Sequence, residues 1–131
     1  MPADLATRSP RVLIADDEPD VRALLHELCE LRGFETMVVS DGSSAIEALR
    51  NWGPFDVIIS DIQMPGVDGF DVLHAARTTA PDCPVVLIAG YDTAETRERA
   101  LAAGAATLLI KPASILVIGS VLDRLMERTA V

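Results

Sequence analysis

Carboxylate and ammonium side chains directly follow three short aliphatic runs of the chain. Asp16 and Asp17 follow "RVLIA", Asp61 follows "DVIIS" and Lys111 follows "ATLLI". Carboxylate oxygens are the ligands that Mg²⁺ prefers, and a cation would relieve the mutual repulsion of clustered acids. Acids, a lysine and Mg²⁺ together suit phosphoryl transfer, since that reaction needs a positioned nucleophile and neutralised oxygens. If these residues meet in space, Asp61 is the natural nucleophile and an aspartyl phosphate is the product.

Taken singly, the same residues have ordinary structural roles. Asp16 and Asp17 could be acids that favour the N-terminus of a following helix, and Lys111 with Pro112 could be a solvated loop. Their joint position at the ends of three predicted strands favours one shared site over three unrelated loops.

Five aliphatic runs of strand length alternate with segments of helical periodicity. The predicted strands are "RVLIA", "ETMVV", "DVIIS", "PVVLIAG" and "ATLLI". The first helix ends near Gly33. Its apolar residues recur at helical spacing and are Val21, Leu24, Leu25, Leu28 and Leu31. The second helix, "DGSSAIEALRNW", has Asp41 or Ser43 as its N-cap.

The remaining helices complete the alternation. "GFDVLHAARTTA" is the third, and "DTAETRERALAAG" is the fourth, with Asp92 and Glu95 at the spacing of a capping box. "SILVIGSVLDRLMER" is the last. Continuous aliphatic strands between helices indicate a parallel sheet covered on both faces. The predicted fold class is therefore α/β, an open doubly wound sheet of five strands and five helices, because a (β/α)8 barrel needs nearly twice this length.

Strand order decides whether the candidate residues meet. In the common order 2-1-3-4-5, strands one and three are neighbours, and ligands bind beyond the carboxyl ends where the order reverses. Asp16, Asp17 and Asp61 would then converge on one cleft, and Lys111 would face the same edge from strand five. This arrangement predicts a bound Mg²⁺ ion.

The composition excludes several classes of partner. A formal net charge of −9 disfavours binding to nucleic acid backbones and to anionic lipid. The apolar runs are too short for a membrane span, and residues 1–10 lack the apolar centre of a signal peptide. We therefore expect a soluble cytoplasmic protein with no direct nucleic acid partner and no membrane partner, preceded by a disordered tail over residues 1–10. Cys29 and Cys83 have no metal-ligand spacing and are expected to be reduced thiols.

Three segments, "LIADDEPDVR", "SDIQMPGVDGFDVL" and "GAATLLIKP", resemble the receiver domain of two-component response regulators, including the chemotaxis receivers. With the β–α units between them, the resemblance extends from about residue 11 to residue 128. It implies the flavodoxin-like receiver fold, with strand order 2-1-3-4-5, over residues 11–131. It also implies a cis peptide bond between Lys111 and Pro112.

The resemblance implies a role for each residue that matches the family motif. Asp61 would accept a phosphoryl group from a histidine kinase or a histidine phosphotransfer protein. Asp17 would bind Mg²⁺ directly, Asp16 would do so directly or through water, and the backbone carbonyl of Gln63 would supply another ligand. Lys111 would contact the phosphoryl oxygens. The chain would be no enzyme beyond self-phosphorylation from phosphodonors and autodephosphorylation.

Two switch positions depart from the family pattern. The family has Thr or Ser at the end of strand four and Tyr or Phe in strand five, whereas this chain has Ala89 and Leu108. Alanine cannot donate a hydrogen bond to a phosphoryl oxygen, and such a bond to a charged group is worth about 1.5–3 kcal/mol. The usual switch therefore cannot operate. Tyr91, two residues after Ala89, could reach the phosphoryl group or gate attacking water, or it could be an ordinary exposed tyrosine.

Apolar residues outside the core stripe of the last helix indicate a contact surface. The stripe itself is predicted to be Ile115, Ile118, Leu122 and Leu125 or Met126. Leu116, Val117 and Val121, with Leu108, could form a patch on the face of the fourth helix, fifth strand and fifth helix. Receivers commonly use this face for dimers and targets; otherwise the residues are scattered surface apolars.

The sequence favours a stand-alone receiver that signals to a downstream protein target and could form a homodimer through that face, although part of a longer regulator would look the same. The alternatives are a phosphorylation-independent interaction module, a phosphate shuttle in a phosphorelay and a phosphate sink. A phosphatase resembling the haloacid dehalogenase family is disfavoured, because Gln63 stands where that family has a second acid.

Overall fold

The computed structural model describes the backbone of residues 9–130 and the side chains of residues 9–112 and 115–127. The tail predicted over residues 1–10 lies outside the described residues, except for its last two positions.

Within residues 9–130, five strands form one parallel sheet at the centre of the fold. They are β1 (Arg11–Ala15), β2 (Glu35–Val39), β3 (Val57–Asp61), β4 (Val85–Ala89) and β5 (Thr107–Ile110). Their order, β2-β1-β3-β4-β5, confirms the prediction. β3 and β4 are buried along their whole length, which is why both are continuous aliphatic runs.

In the described part of the chain, five α-helices and one short 3₁₀ helix connect and follow the strands. They are α1 (Pro19–Leu31), α2 (Gly42–Asn51), α3 (Gly69–Thr79), α4 (Ala94–Ala102), the 3₁₀ helix Ala113–Val117 and α5 (Ile118–Ala130). The prediction of one continuous last helix from residue 114 is therefore wrong at its start. Pro112 O accepts a hydrogen bond from Ile115 N at 3.3 Å, which tightens this turn and brings Ile115 into the core.

The start of α4 also differs from the prediction. The capping box expected from Asp92 and Glu95 is wrong, because Thr93 is the N-cap and accepts a hydrogen bond from Thr96 N at 3.1 Å. Asp92 instead forms an ion pair with Arg97 at 2.5 Å. A threonine hydroxyl one residue closer to the helix takes the place of the predicted acid.

Aspartate side chains cap two other helices. Asp41, rather than Ser43, caps α2 and accepts a hydrogen bond from Ser44 N at 2.7 Å. Asp68 caps α3 and forms a reciprocal capping box with Asp71. This capping box fixes the start of the helix that follows β3.

The helices divide between the two faces of the sheet, and each face buries an apolar cluster. α1 and α5 cover one cluster, to which they contribute Leu25 and Ile118. α2, α3 and α4 cover the other and contribute Ala48, Leu73 and Ala100. The predicted stripe of the last helix lies in the first cluster and consists of Ile115, Ile118, Leu122 and Leu125. The carboxyl edge of the sheet is left for the polar residues that follow the strands.

Candidate functional site

The candidate residues lie together at the carboxyl edge of the sheet. Asp16 follows β1, Asp61 ends β3 and Lys111 follows β5, and their charged groups are in contact. Carboxylate oxygens of Asp16, Asp17, Glu18 and Asp61 all lie within 4.8 Å of one another. The structure therefore brings the predicted residues together and adds Glu18, which the sequence reading missed although it is the third acid of the run "DDE".

The backbone after Asp61 is fixed by a helix that begins directly against it. Gly69, the first residue of α3, donates its N–H to Ile62 O at 2.9 Å. A Cβ at Gly69 would lie 2.4 Å from Asp61 O and 2.7 Å from Ile62 Cα, so atoms would overlap. Only glycine allows this approach. Gly69 therefore belongs to the architecture of the site, and no sequence signal pointed to it because the contact depends on the path of the loop.

Asp16 is buried and is oriented by its own loop. Its Oδ1 accepts a hydrogen bond from Glu18 N at 2.8 Å. Among the described residues its Oδ2 accepts no hydrogen bond, although Lys111 Nζ lies 3.2 Å away as an ion-pair partner. A buried carboxylate oxygen without a hydrogen-bond donor, in a cluster of four acids, fits a hard divalent cation such as Mg²⁺.

Lys111 is the cation of the cluster and the only lysine in the sequence. Its Nζ donates to Asp61 Oδ2 at 3.1 Å, to Asp16 Oδ1 at 3.4 Å and to a carboxylate oxygen of Glu18, and it lies 3.2 Å from Asp16 Oδ2. An ammonium group has three N–H donors, so these carboxylates occupy its full capacity. The Lys111–Pro112 peptide bond is cis, as the resemblance implies.

Burial and charge shift the proton affinities of the cluster. Burial and the neighbouring charge of Asp16 raise the pKa of Asp61 to about 6, against the opposing effect of Lys111. Burial also raises the pKa of Asp16. Burial lowers the pKa of Lys111, but its hydrogen bond to Glu18 and the charges of Asp16 and Asp61 outweigh that effect and leave the pKa raised. Lys111 therefore stays charged at neutral pH, while Asp61 is an unusually basic carboxylate, which suits a nucleophile.

The cluster opens into a solvent-accessible cleft of about 700 Å³. Asp61 and Lys111 line it, together with Gln63, Met64, Pro65 and Gly66 of the loop after β3. Asp61 therefore borders a cleft that is open to solvent.

The two switch positions present only apolar groups. Ala89 ends β4 and is buried, and Leu108 in β5 is 9% exposed and packs in the cluster under α2, α3 and α4. Tyr91 is 71% exposed and borders a small pocket of about 50 Å³ together with Gln63 and Ala89. Tyr91 therefore lies in the loop that follows β4, beside this pocket.

The apolar patch predicted around the last helix is smaller than expected. Leu108 is buried, so its predicted membership of a surface patch is wrong. Val121 is half-buried and packs against the core under α1 and α5. Leu116 is 70% exposed and Val117 is also exposed, and both lie in the 3₁₀ helix that precedes α5.

The fold and the acidic cluster agree with a known family. A sequence model of the response regulator receiver domain matches residues 12–122. The chain therefore belongs to the receiver domains of two-component response regulators. It is 38% identical over 120 residues to the probable transcriptional regulatory protein TcrX of Mycobacterium tuberculosis, an alignment that covers 92% of this chain and 51% of TcrX. The chain thus spans about half the length of this relative.

Solved structures of receivers have the same arrangement of elements. The receiver domain of the Francisella response regulator 1452 matches with a TM-score of 0.84 and 30% identity, covering 92% of this chain and 99% of that one. Chemotaxis protein CheY4 of Vibrio cholerae matches with a TM-score of 0.82 and 28% identity, covering 90% and 99%. Receiver domains bind Mg²⁺ at an acidic pocket, and this chain has such a cluster. Within residues 9–130, no helix is both long enough and apolar enough to cross a membrane.

Proposed function

We propose that this receiver accepts a phosphoryl group on Asp61 from a phosphohistidine of a histidine kinase or phosphotransfer protein, and that it signals in the cytoplasm by contact with a protein target. The observation that carries this proposal is the position of Lys111 Nζ, which is 3.1 Å from Asp61 Oδ2 and 3.2 Å from Asp16 Oδ2. A buried, basic carboxylate beside a fixed ammonium provides the nucleophile and the charge stabilisation that phosphoryl transfer needs.

The transfer forms one bond and breaks one. A carboxylate oxygen of Asp61 attacks the phosphorus, and the P–N bond to the donor imidazole breaks as the O–P bond forms. The imidazole keeps the bonding electron pair and leaves as a neutral ring, because its other nitrogen carries a proton. Lys111 donates hydrogen bonds to the phosphoryl oxygens and compensates their negative charge.

Asp16, Asp17 and Asp61, with the backbone carbonyl of Gln63, would hold Mg²⁺. When bound, the ion neutralises negative charge on the phosphoryl oxygens. The chain prepares this set of ligands itself: Glu18 N–H orients Asp16, and Asp61 Oδ1 accepts the Gln63 N–H at 3.3 Å. The second of these hydrogen bonds keeps the backbone of Gln63 beside the cluster.

The response to phosphate uses a route other than a hydroxyl at the end of β4. Ala89 has no hydroxyl that could donate a hydrogen bond to a phosphoryl oxygen. Leu108 is buried and has no aromatic ring of the kind that moves in the family switch. We assign Tyr91 a role in controlling the access of water to the phosphoryl group, because it adjoins Gln63 and Ala89. An unchanged phosphoryl lifetime in Tyr91→Phe would contradict a role for the hydroxyl.

We place the contact with the target, or with a second copy of the chain, on the face of α4, β5 and α5. Exposed apolar side chains support this assignment, since Leu101 lies on α4 and Leu116 and Val117 lie between β5 and α5. The net charge of −9 argues against direct contact of the receiver with DNA, although relatives such as TcrX are transcriptional regulators.

Labelling by acetyl phosphate with Mg²⁺, followed by intact mass, tests the phosphoacceptor. The wild type should gain the mass of one phosphoryl group and Asp61→Asn should gain none. Asp68→Asn is the matched control, because it alters another acid of the same cleft and retains a side chain that can cap α3. Equal labelling of Asp61→Asn and wild type would overturn the assignment.

A phosphorylation-independent interaction module is the second candidate, and Ala89 and Leu108 are the residues that favour it. Amide spectra recorded during the labelling distinguish the candidates. Shifts that spread from Asp61 to α5 support a working switch, and shifts confined to the cluster support a phosphate shuttle or sink. The absence of any label, even with a cognate kinase, supports the interaction module.

A further inference from the structure

One residue that holds Lys111 has no part in the proposed transfer. Glu18 accepts a hydrogen bond from Lys111 Nζ, and its side chain is 58% exposed, unlike those of Asp16 and Asp61. We propose that Glu18 is a positioning residue that holds Lys111 in the unphosphorylated protein and releases it to the phosphoryl group. Glu18 and the phosphoryl oxygens then compete for one ammonium. This inference rests on the proposed function of Asp61 as the phosphoacceptor.

The donor capacity of Lys111 sets up the competition. The three carboxylates around Nζ already occupy its three N–H groups. Phosphorylation converts the ionised Asp61 carboxylate into an acyl phosphate, which adds about one unit of negative charge and strong acceptor oxygens beside the same ammonium. The N–H that Asp61 Oδ2 accepts can pass to one of these oxygens, but a second contact with them requires Lys111 to leave Asp16 or Glu18.

Glu18 is the partner that can leave. Asp16 and Asp61 are buried, and the sheet holds their backbone, since Asp16 N donates to Val39 O at 3.2 Å and Asp61 pairs with Ile88 of β4. Glu18 lies in the exposed loop that enters α1, and water can solvate its carboxylate once Lys111 has moved. The cost of breaking this contact is therefore lower than the cost of leaving Asp16 unpaired in the interior.

The start of α1 gives an independent indication that Glu18 is committed to Lys111. Glu18 occupies the N-cap position of α1, but within the described residues its side chain makes no capping hydrogen bond to the helix. Pro19 follows at the first helical position, where it has no N–H to be capped. The carboxylate instead reaches a lysine 93 residues away in sequence and connects the loops after β1 and β5.

The test compares Glu18→Gln with Asp20→Asn. Both substitutions remove one negative charge near the start of α1, but Asp20 is an exposed acid of the first helical turn rather than a ligand of Lys111. The probe is beryllofluoride, a phosphoryl analogue, titrated at a Mg²⁺ concentration that saturates each variant as established by a Mg²⁺ titration. Glu18→Gln should bind beryllofluoride about two- to fivefold more tightly than Asp20→Asn, the size expected for loss of a partly exposed ion pair.

A second measurement observes the ammonium itself. Because Lys111 is the only lysine, ¹⁵N-lysine labelling gives a single side-chain Nζ resonance. This resonance should shift in ligand-free Glu18→Gln but not in Asp20→Asn, and in the wild type it should move when beryllofluoride binds.

The outcomes separate this inference from the proposed function. Equal beryllofluoride affinities and equal Nζ shifts in Glu18→Gln and Asp20→Asn would overturn the role of Glu18, since only diffuse charge would then matter. A wild type that binds no beryllofluoride in the presence of Mg²⁺ would instead contradict Asp61 as the phosphoacceptor. In that case, a shift of the Nζ resonance in ligand-free Glu18→Gln, with none in Asp20→Asn, would still show that Glu18 holds the lysine.

Discussion

At the scale of single residues, the proposed phosphate site has every residue that the resemblance implies, whereas the two proposed switch positions differ from the family. Asp16, Asp61 and Lys111 are in contact at the sheet edge. Ala89, at the end of the neighbouring strand, offers only a methyl group. The side chains proposed to bind the phosphoryl group are therefore different from the side chain at the end of β4. A substitution can test one set while leaving the other in place.

Ala89→Thr should strengthen the binding of beryllofluoride with Mg²⁺ by about tenfold. The added hydroxyl can donate to the phosphoryl analogue, and a hydrogen bond to a charged group is worth about 1.5 kcal/mol at the lower end of its range. Ala89 borders a pocket of about 50 Å³, which leaves room for the larger side chain. A titration monitored by amide NMR measures the affinity.

Ala89→Val is the matched control, because valine has the shape of threonine without the hydroxyl. The Ala89→Val variant should bind beryllofluoride with the same affinity as the wild type. Equal gains in the two variants would show that the pocket responds to volume and that no hydroxyl at this position reaches the phosphoryl group.

At the scale of elements, the loop from β3 to α3 shows how local geometry holds Asp61, the proposed phosphoacceptor. Asp68 and Asp71 close the helix start with a capping box, and Gly69 packs against the carbonyl of Asp61. The helix therefore fixes the backbone of Asp61 from one side while the sheet fixes it from the other.

Gly69→Ala should destabilise the protein by about 1–3 kcal/mol, the usual cost of overpacking a fixed backbone contact. The new Cβ would lie 2.4 Å from Asp61 O, so either α3 or the end of β3 must shift. Urea unfolding measures the loss, and the amide signals of Asp61 and Ile62 should show the displacement.

Gly119→Ala provides the comparison, since it makes the same change in another helix. Its Cβ would approach the guanidinium of Arg32, the end of a flexible side chain that can move away. Helix propensity then favours alanine by up to about 1 kcal/mol. If both variants were equally destabilised, the tight contact at Gly69 would not be the cause.

At the scale of the whole molecule, the alternation of aliphatic runs and helical periodicity was sufficient to predict the sheet and its carboxyl edge. Asp16, Asp61 and Lys111 could be found because each interrupts an apolar run at a strand end. The burial of Leu108 could not be predicted, because every position of "TLLI" is apolar or small and the pattern does not say which face each residue occupies. Glu18 was not identified, because it lies in the loop before α1 and does not interrupt an apolar run at a strand end.

The overall balance of charge gives a prediction for stability. The chain has a net charge of −9, and four of its acids lie within 4.8 Å of one another beside one lysine. Burial and Asp16 raise the pKa of Asp61 from 3.8 to about 6, so the folded state binds the proton of Asp61 more tightly than the unfolded chain does. At neutral pH the ionised Asp61 therefore costs folding free energy in metal-free protein, on the order of 1–3 kcal/mol.

Asp61→Asn should thus be more stable than the wild type in a chelator at neutral pH. The difference should shrink as the pH falls through about 6, because the folded wild type takes up its proton there while the unfolded chain is still ionised. Urea unfolding across this pH range measures the difference, and Asp20→Asn, outside the cluster, should change little. Added Mg²⁺ should stabilise the wild type more than Asp61→Asn, because the variant lacks one of the proposed ligands. If the wild type were the more stable of the two without metal, the attraction of Lys111 for Asp61 would outweigh the repulsion among the acids. The repulsion would then no longer be a reason to expect a metal cation in this cluster.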